Sequence, residues 1–111
     1  MTSFRLGILA EYIVMIFYTL CFYRILHHRM KTYVGEIDLV GLRAKQLVFI
    51  EVKVRKNGIH EGIVSQDQQN RITRTAELFL SKNPKYTNHN IRFDLVVLTP
   101  YRLPLIIKNA W

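Results

Sequence analysis

The chain has one cysteine, three prolines and five glycines in 111 residues, and only eight acidic side chains against sixteen basic ones. A single thiol, Cys21, excludes an internal disulfide framework and suits a reducing compartment, so a cytoplasmic location is expected. It lies in an apolar run and reads as a small core residue. One Cys and four scattered His also exclude a zinc site of ordinary spacing. His27 and His28 are adjacent, so on a strand they point to opposite faces and cannot share an ion. A long uninterrupted apolar run is missing as well. LGILAEYIVMIFYTLCFYRIL, Leu6 to Leu26, is broken by Glu11 and Arg24, short of the roughly 18–20 apolar positions that a membrane span needs. No small-residue cleavage site follows it. Neither an anchor nor a signal peptide is expected, and no membrane partner.

Half of the residues are hydrophobic and 22% are charged, a globular composition. A single domain over residues 1–111 is expected, since the chain is too short for two independent cores. The net charge of +8 makes a polyanion the first partner to consider, because Lys and Arg supply most sequence-independent affinity for nucleic acid. Charge alone equally suits a protein that is merely basic.

Periodicity gives the order of elements. Ser3 to Leu20 reads as a helix, with Ser3 as its N-cap and apolar residues nearly all round. Phe22 to His28 reads as a strand, Lys31 to Val34 as a connection, and Gly35 to Leu42 and Leu47 to Arg55 as two further strands. KNGIHEG, Lys56 to Gly62, is a loop. Val64 to Lys82 has Ile72, Ala76, Phe79 and Leu80 on one helical face and ends at Asn83 and Pro84. Ile91 to Thr99 is a core strand, and Leu103 to Ile107 folds back after Pro100. The fold class is therefore α/β in the mixed, α+β sense.

Three of the eight carboxylates fall inside the two central strands. Alternation puts Glu36, Asp38 and Val40 on one face of the first, and Phe49, Glu51, Lys53 and Arg55 on one face of the second, so each strand reads as half core and half chemistry. A turn about Ala44 and Lys45 pairs Leu42 with Leu47, Val40 with Phe49, Asp38 with Glu51 and Glu36 with Lys53. No Gly or Asn supplies a positive φ there, so a looser four-residue loop of the same register is expected. Opposed carboxylates are destabilising without a cation between them. Mg²⁺, which takes one or two carboxylates and completes its shell with water and phosphate, suits the pair; a solvated sheet face with a Glu36–Lys53 ion pair suits it too. Glu36 is either a further ligand or the partner of Lys53, with the ion pair preferred.

Asp38 followed thirteen residues on by Glu51, Val52 and Lys53 resembles the D…(D/E)xK signature of restriction-endonuclease-like nucleases. GEIDLV with LVFIEVKVR, preceded by LGILAEY and followed by RFDLVVL, is similar to the YraN family of predicted nucleases, related to archaeal Holliday-junction resolvases. The resemblance covers nearly the whole chain. It implies a core of helix, three antiparallel strands, helix and strand, and metal-dependent DNA hydrolysis with Mg²⁺ or Mn²⁺. On this resemblance Asp38 and Glu51 are the metal-binding pair, the carbonyl of Val52 completes the ligands, and Lys53 is the catalytic lysine. Glu11 resembles the additional acid on the first helix; as a carboxylate in an apolar helix it equally suits a surface strip or an Arg pair. DNA of branched or damaged form and a homodimer also follow from the resemblance.

Backbone contacts are expected from Arg55 and Lys56, and from Arg71 and Arg74 on the second helix with Gln68 and Gln69 near its start. Relatives often carry a basic residue where this chain has Gln68. No groove-reading helix is evident, so binding without sequence specificity is expected. Arg92 and Asp94 alternate outward from Phe93 and Leu95 as structural or rim contacts. The alternatives are a non-catalytic nucleic-acid-binding module of the same fold and a membrane-associated structural protein.

Overall fold

A computed structural model describes residues 3–56 and 63–111, with the side chains of residues 3 and 4 outside the description. The elements are α1 (Ser3–Leu20), β1 (Arg24–Lys31), β2 (Glu36–Arg43), β3 (Gln46–Val54), α2 (Gln66–Lys82), a 3₁₀ turn (Pro84–Tyr86), β4 (Asn90–Leu98) and β5 (Leu105–Ile107). The strands form one sheet in the order β1-β2-β3-β4-β5. Neighbours are antiparallel except for β3 and β4, which are parallel and joined through α2. This is a mixed α/β fold with a five-stranded sheet, consistent with a restriction-endonuclease-like core. The expected Ser3 cap and, from Asn57 to Gly62, the expected loop lie outside the described residues. Among those described, no helix is long and apolar enough to cross a membrane.

Both faces of the sheet are covered. On one, Ile72, Ala76 and Phe79 of α2 pack on Val40, Leu47 and Phe49; on the other, Val14 and Tyr18 of α1 pack on Leu39, Val48, Ile50 and Val96. Each fully buried Val, Leu, Ile or Phe contributes about 1.5–3 kcal/mol of transfer free energy, so these two layers hold the fold. The alternation expected for β3 is present, but two expectations for this pair are corrected. In β2, Ile37 packs with Val40 under α2 while Leu39 faces α1. Neither strand gives one whole face to chemistry, since Val40 and Phe49 are core under α2.

α2 starts at Gln66, two residues later than expected, because the Ser65 hydroxyl accepts the Gln68 N–H at 3.1 Å and caps it there. Asn83 closes its other end through an N–H bond to the Leu80 carbonyl. Val64, ahead of the cap, packs instead with Leu95 and Val97. β1 also begins two residues late. Phe22 has φ of 70° and cannot continue a strand, and a register shift between Ile25 and His27 lets β1 run on to Lys31. The β2–β3 turn is tighter than expected: Arg43 pairs with Gln46, and Ala44 itself takes φ of 52°. A two-residue turn with positive φ at its first central position matches strand twist, and the ladder supplies what Ala44 loses in strain.

At the other end of β2, Thr32 folds the chain back. Its hydroxyl donates to the Gly35 carbonyl at 2.8 Å and accepts the N–H groups of Val34 and Gly35 at 3.2 Å. Gly35 then passes so close to α2 that a Cβ there would lie 2.8 Å from Thr75 Oγ1. Thr75 is fully buried, its hydroxyl bonded to the Arg71 carbonyl, so it cannot yield.

Arg92 and Asp94 correct another expectation, since Asp94 points inward and is 0% exposed. Its carboxylate receives both Arg92 Nε (2.7 Å) and Arg92 Nη2 (2.9 Å), the Tyr18 hydroxyl (2.8 Å) and the Asn109 N–H (3.2 Å). α1, β4 and the C-terminal segment are tied at one atom group. The bidentate pair holds the Arg92 guanidinium above its ordinary pKa, and burial with the adjacent Asp94 charge raises the Tyr18 phenol. Asp94→Ala leaves a desolvated guanidinium unpaired, so urea unfolding should show a loss of roughly 3–5 kcal/mol. Tyr18→Phe should cost about 1 kcal/mol. Gly35→Ala should cost about 1–3 kcal/mol from the overpacked contact with Thr75, with the same unfolding slope.

Candidate active site

β2 and β3 are paired in the expected register from Arg43↔Gln46 to Leu39↔Ile50. Beyond that they part. β2 stays with β1, through Met30↔Ile37 and Lys31↔Glu36, while β3 runs on beside β4 to Val54↔Leu98. At the fork the Asp38 carboxylate takes the Val52 N–H at 2.8 Å, in place of a backbone partner on β2.

Glu51 sits in the fork and is 7% exposed. Its Oε2 is 3.2 Å from Lys53 Nζ and accepts a hydrogen bond from Gln68 Nε2 on α2. Burial, then the charge of Asp38 and a hydrogen bond with it, push the Glu51 carboxyl up to about 8, against the opposing pull of Lys53. The side chains of Asp38, Glu51 and Lys53 thus converge at one end of the sheet. Glu11 reaches the same end from α1. Its Oε1 is 2.8 Å from His28 Nε2, and burial and the Asp38 charge hold its pKa above the usual carboxylate range despite His28 and Arg29.

Two clefts flank this group. One, of about 490 Å³, is lined by Glu11, Val52, Lys53, Arg55 and Lys56 together with Leu6, Gly7 and Pro100. The other, of about 320 Å³, is lined by Gln68, Arg71, Gly35 and Glu36. Glu51 joins them, through Lys53 to the first and Gln68 to the second. Among the described residues, no group of three or more His, Cys, Asp or Glu is arranged to hold an ion unaided. The donors brought together are instead the two neighbouring carboxylates of Asp38 and Glu51, hard oxygens of the kind Mg²⁺ takes.

Three expectations are placed elsewhere. Glu36 does not meet Lys53; it stands 3.9 Å from Lys31, both exposed, because β2 has left β3 for β1 at that point. Gln69 turns away from the fork, its Nε2 donating to the Val64 carbonyl at 3.1 Å. Arg74 is exposed on α2 and lines neither cleft. The Glu11–His28 pair was not foreseen as such, although the opposite faces of His27 and His28 were: His27 packs on the Phe79 ring at 5.4 Å and His28 on Tyr12 at 5.1 Å.

Because the folded pKa of Glu51 lies above its ordinary 4.5, the folded protein keeps a proton that the unfolded chain has lost between pH 4.5 and about 8. Stability of the metal-free protein should therefore fall as pH rises through that window. Denaturation midpoints measured across it should show the slope, and Glu51→Gln, which cannot ionise, should flatten it.

The model of the "Uncharacterised protein family UPF0102" matches residues 10–98, which include the whole fork. A UPF0102 protein of Parvibaculum lavamentivorans is 36% identical over 113 residues, covering 100% of this chain and 84% of its own. One of Chelativorans sp. is 38% identical over 110 residues, covering 98% and 89%, and one of Rhodopseudomonas palustris (strain BisB5) 39% over 110, covering 98% and 84%. With matches of this length on a family model and on full-length relatives, the chain belongs to the UPF0102 family, in keeping with its YraN-type resemblance.

Proposed function

We propose that the chain is a metal-dependent DNA endonuclease that hydrolyses phosphodiester bonds without sequence specificity, on branched or damaged DNA. The observation that carries this reading is the convergence of Asp38, Glu51 and Lys53 in the fork between β2 and β3, on a chain of net charge +8. Nothing in a purely structural role requires a buried Glu51 beside Asp38, an arrangement whose cost the Lys53 ammonium offsets only in part.

Asp38 and Glu51, with the Val52 carbonyl, would hold Mg²⁺ or Mn²⁺, and Glu11, turned to His28, would stand behind them. When bound, such an ion acidifies water and stabilises charge on a phosphate oxygen. The chain's own groups do the rest. Lys53 directs its ammonium at the phosphate and offsets charge developing there. Asp38, anchored on the Val52 N–H, and Glu51, held by Gln68, keep their oxygens aimed into the fork. Arg55 and Lys56 in one cleft and Arg71 in the other bind the sugar–phosphate backbone on either side, contacts that position a strand and carry no sequence information.

Purified protein incubated with branched, nicked and linear DNA in Mg²⁺ or Mn²⁺ should cut. Asp38→Ala, Glu51→Ala and Lys53→Met should each lower the cleavage rate by at least about 100-fold. Binding with no cutting in either metal would instead leave a nucleic-acid-binding module of the same fold. Arg71→Ala should weaken binding uniformly across sequences and reduce the salt dependence of affinity by about one counterion. Mn²⁺ should raise the melting temperature of the wild type and not of Glu51→Gln, a reading of ion binding independent of activity.

A further inference from the structure

α1 is apolar on both sides. Ala10, Val14 and Tyr18 face the sheet, and Glu11 turns the same way to His28. On the far side Leu6, Leu9, Ile13, Ile16 and Leu20 recur at three- and four-residue spacing and so form one stripe, each between 40% and 74% exposed. Tyr12 and Phe17, also exposed, widen it. Contiguous apolar surface of this kind marks an interaction site, whereas single exposed leucines do not.

The apolar surface extends past both helix ends. Phe22, 85% exposed, projects from the turn after α1, and Tyr101 and Leu103 project from the loop between β4 and β5. That loop borders α1 across an apolar groove of about 350 Å³ lined by Leu6, Leu9, Ile13, Leu98, Pro100 and Arg102. A second groove, of about 270 Å³, follows Tyr12, Met15, Ile16 and Leu20. Aromatic tips beside aliphatic grooves suit a layer that is polar at its surface and hydrocarbon beneath.

Charge selects the occupant. Among the described residues, the exposed carboxylates are Glu36, Asp67 and Glu77, at the start of β2 and on α2, which covers the opposite face of the sheet. The apolar side is bordered by arginines. Arg24 follows Phe22, and Arg43 donates to the Cys21 carbonyl at 3.0 Å, which places it beside the same turn; Arg102 lines the groove at the other end. A second copy laid on this face would oppose like-charged rims on chains of +8 each. An anionic surface meets stripe and rim together.

We infer that this face docks on anionic phospholipid membranes, with α1 lying in the plane of the interface and Leu9, Ile13, Ile16 and Leu20 among the acyl chains. The helix rests on the membrane and does not cross it. Glu11 lies on the other side of α1 and the Arg71 cleft stays in water, while the cleft of Arg55 and Lys56 shares Leu6 and Pro100 with the apolar groove. Docking therefore covers one edge of the strand-binding surface and leaves the Arg71 side open. The inference does not depend on the nuclease reading.

Flotation of the full chain with vesicles tests this. Wild type should float with vesicles of phosphatidylcholine and phosphatidylglycerol, and at least about tenfold less with phosphatidylcholine alone. Ile16→Glu and Leu20→Glu, at exposed positions, should lose at least about tenfold of that binding while melting as the wild type does. If either fails to melt cooperatively, Phe22→Asp and Leu103→Ser, off the helix, carry the same expectation. No flotation with either vesicle would overturn the inference. So would flotation that persists in all four variants, which would mean capture by the DNA-binding charges, or a wild-type dimer in sedimentation that Ile16→Glu dissociates without any vesicle binding.

Discussion

The bond from the Val52 N–H to the Asp38 carboxylate is where a β-sheet gives way to a site. Up to Leu39 and Ile50 the two central strands satisfy each other through their backbones; past that point β2 is held by β1 and β3 by β4. Strands that diverge would leave buried N–H groups unpaired, which costs more than any single hydrogen bond returns. Asp38 meets that need with a side chain. In doing so its carboxylate is drawn into the fork, next to Glu51, and the charge problem that a cation would resolve is created by the same contact that resolves the backbone's.

The fork holds its shape because the rest of the sheet is rigid on both sides. α2 and α1 each lay an apolar stripe on one face, and the buried Asp94 carboxylate ties α1 to β4 and the C-terminal segment through Arg92, Tyr18 and Asn109. Such a network is favourable only when every member is satisfied; here the carboxylate has four donor contacts. The helices also deliver chemistry as well as packing, Glu11 from α1 and Gln68 from α2, so the site is assembled from three layers at one end of the molecule.

Two surfaces of unlike character result. The clefts about the fork carry Lys53, Arg55, Lys56 and Arg71, cations that suit the proposed phosphodiester backbone. The outer side of α1 is aliphatic and aromatic with an arginine rim. Both are cationic, and what separates them is the hydrophobic effect: one would be lost by burial in hydrocarbon, the other stabilised by it.

By itself the sequence determined the element order, the pairing of β2 with β3 and the candidates Asp38, Glu51 and Lys53, because these rest on local quantities: period-two alternation, helical spacing and a short hairpin whose ends count toward each other. It also placed His27 and His28 on opposite faces. Only the tertiary structure decided where the strands part, and with that the loss of the Glu36–Lys53 pair, the turn of Gln69 toward Val64, the inward course of Asp94 and the joining of Glu11 to His28. Those depend on which neighbours a strand end or helix face finds across the molecule, and alternation says which side a residue faces without saying what covers that side. The outer stripe of α1 shows the same limit. Its apolar residues are plain in the sequence as part of a helix that reads as buried, and only the fold leaves half of that helix uncovered.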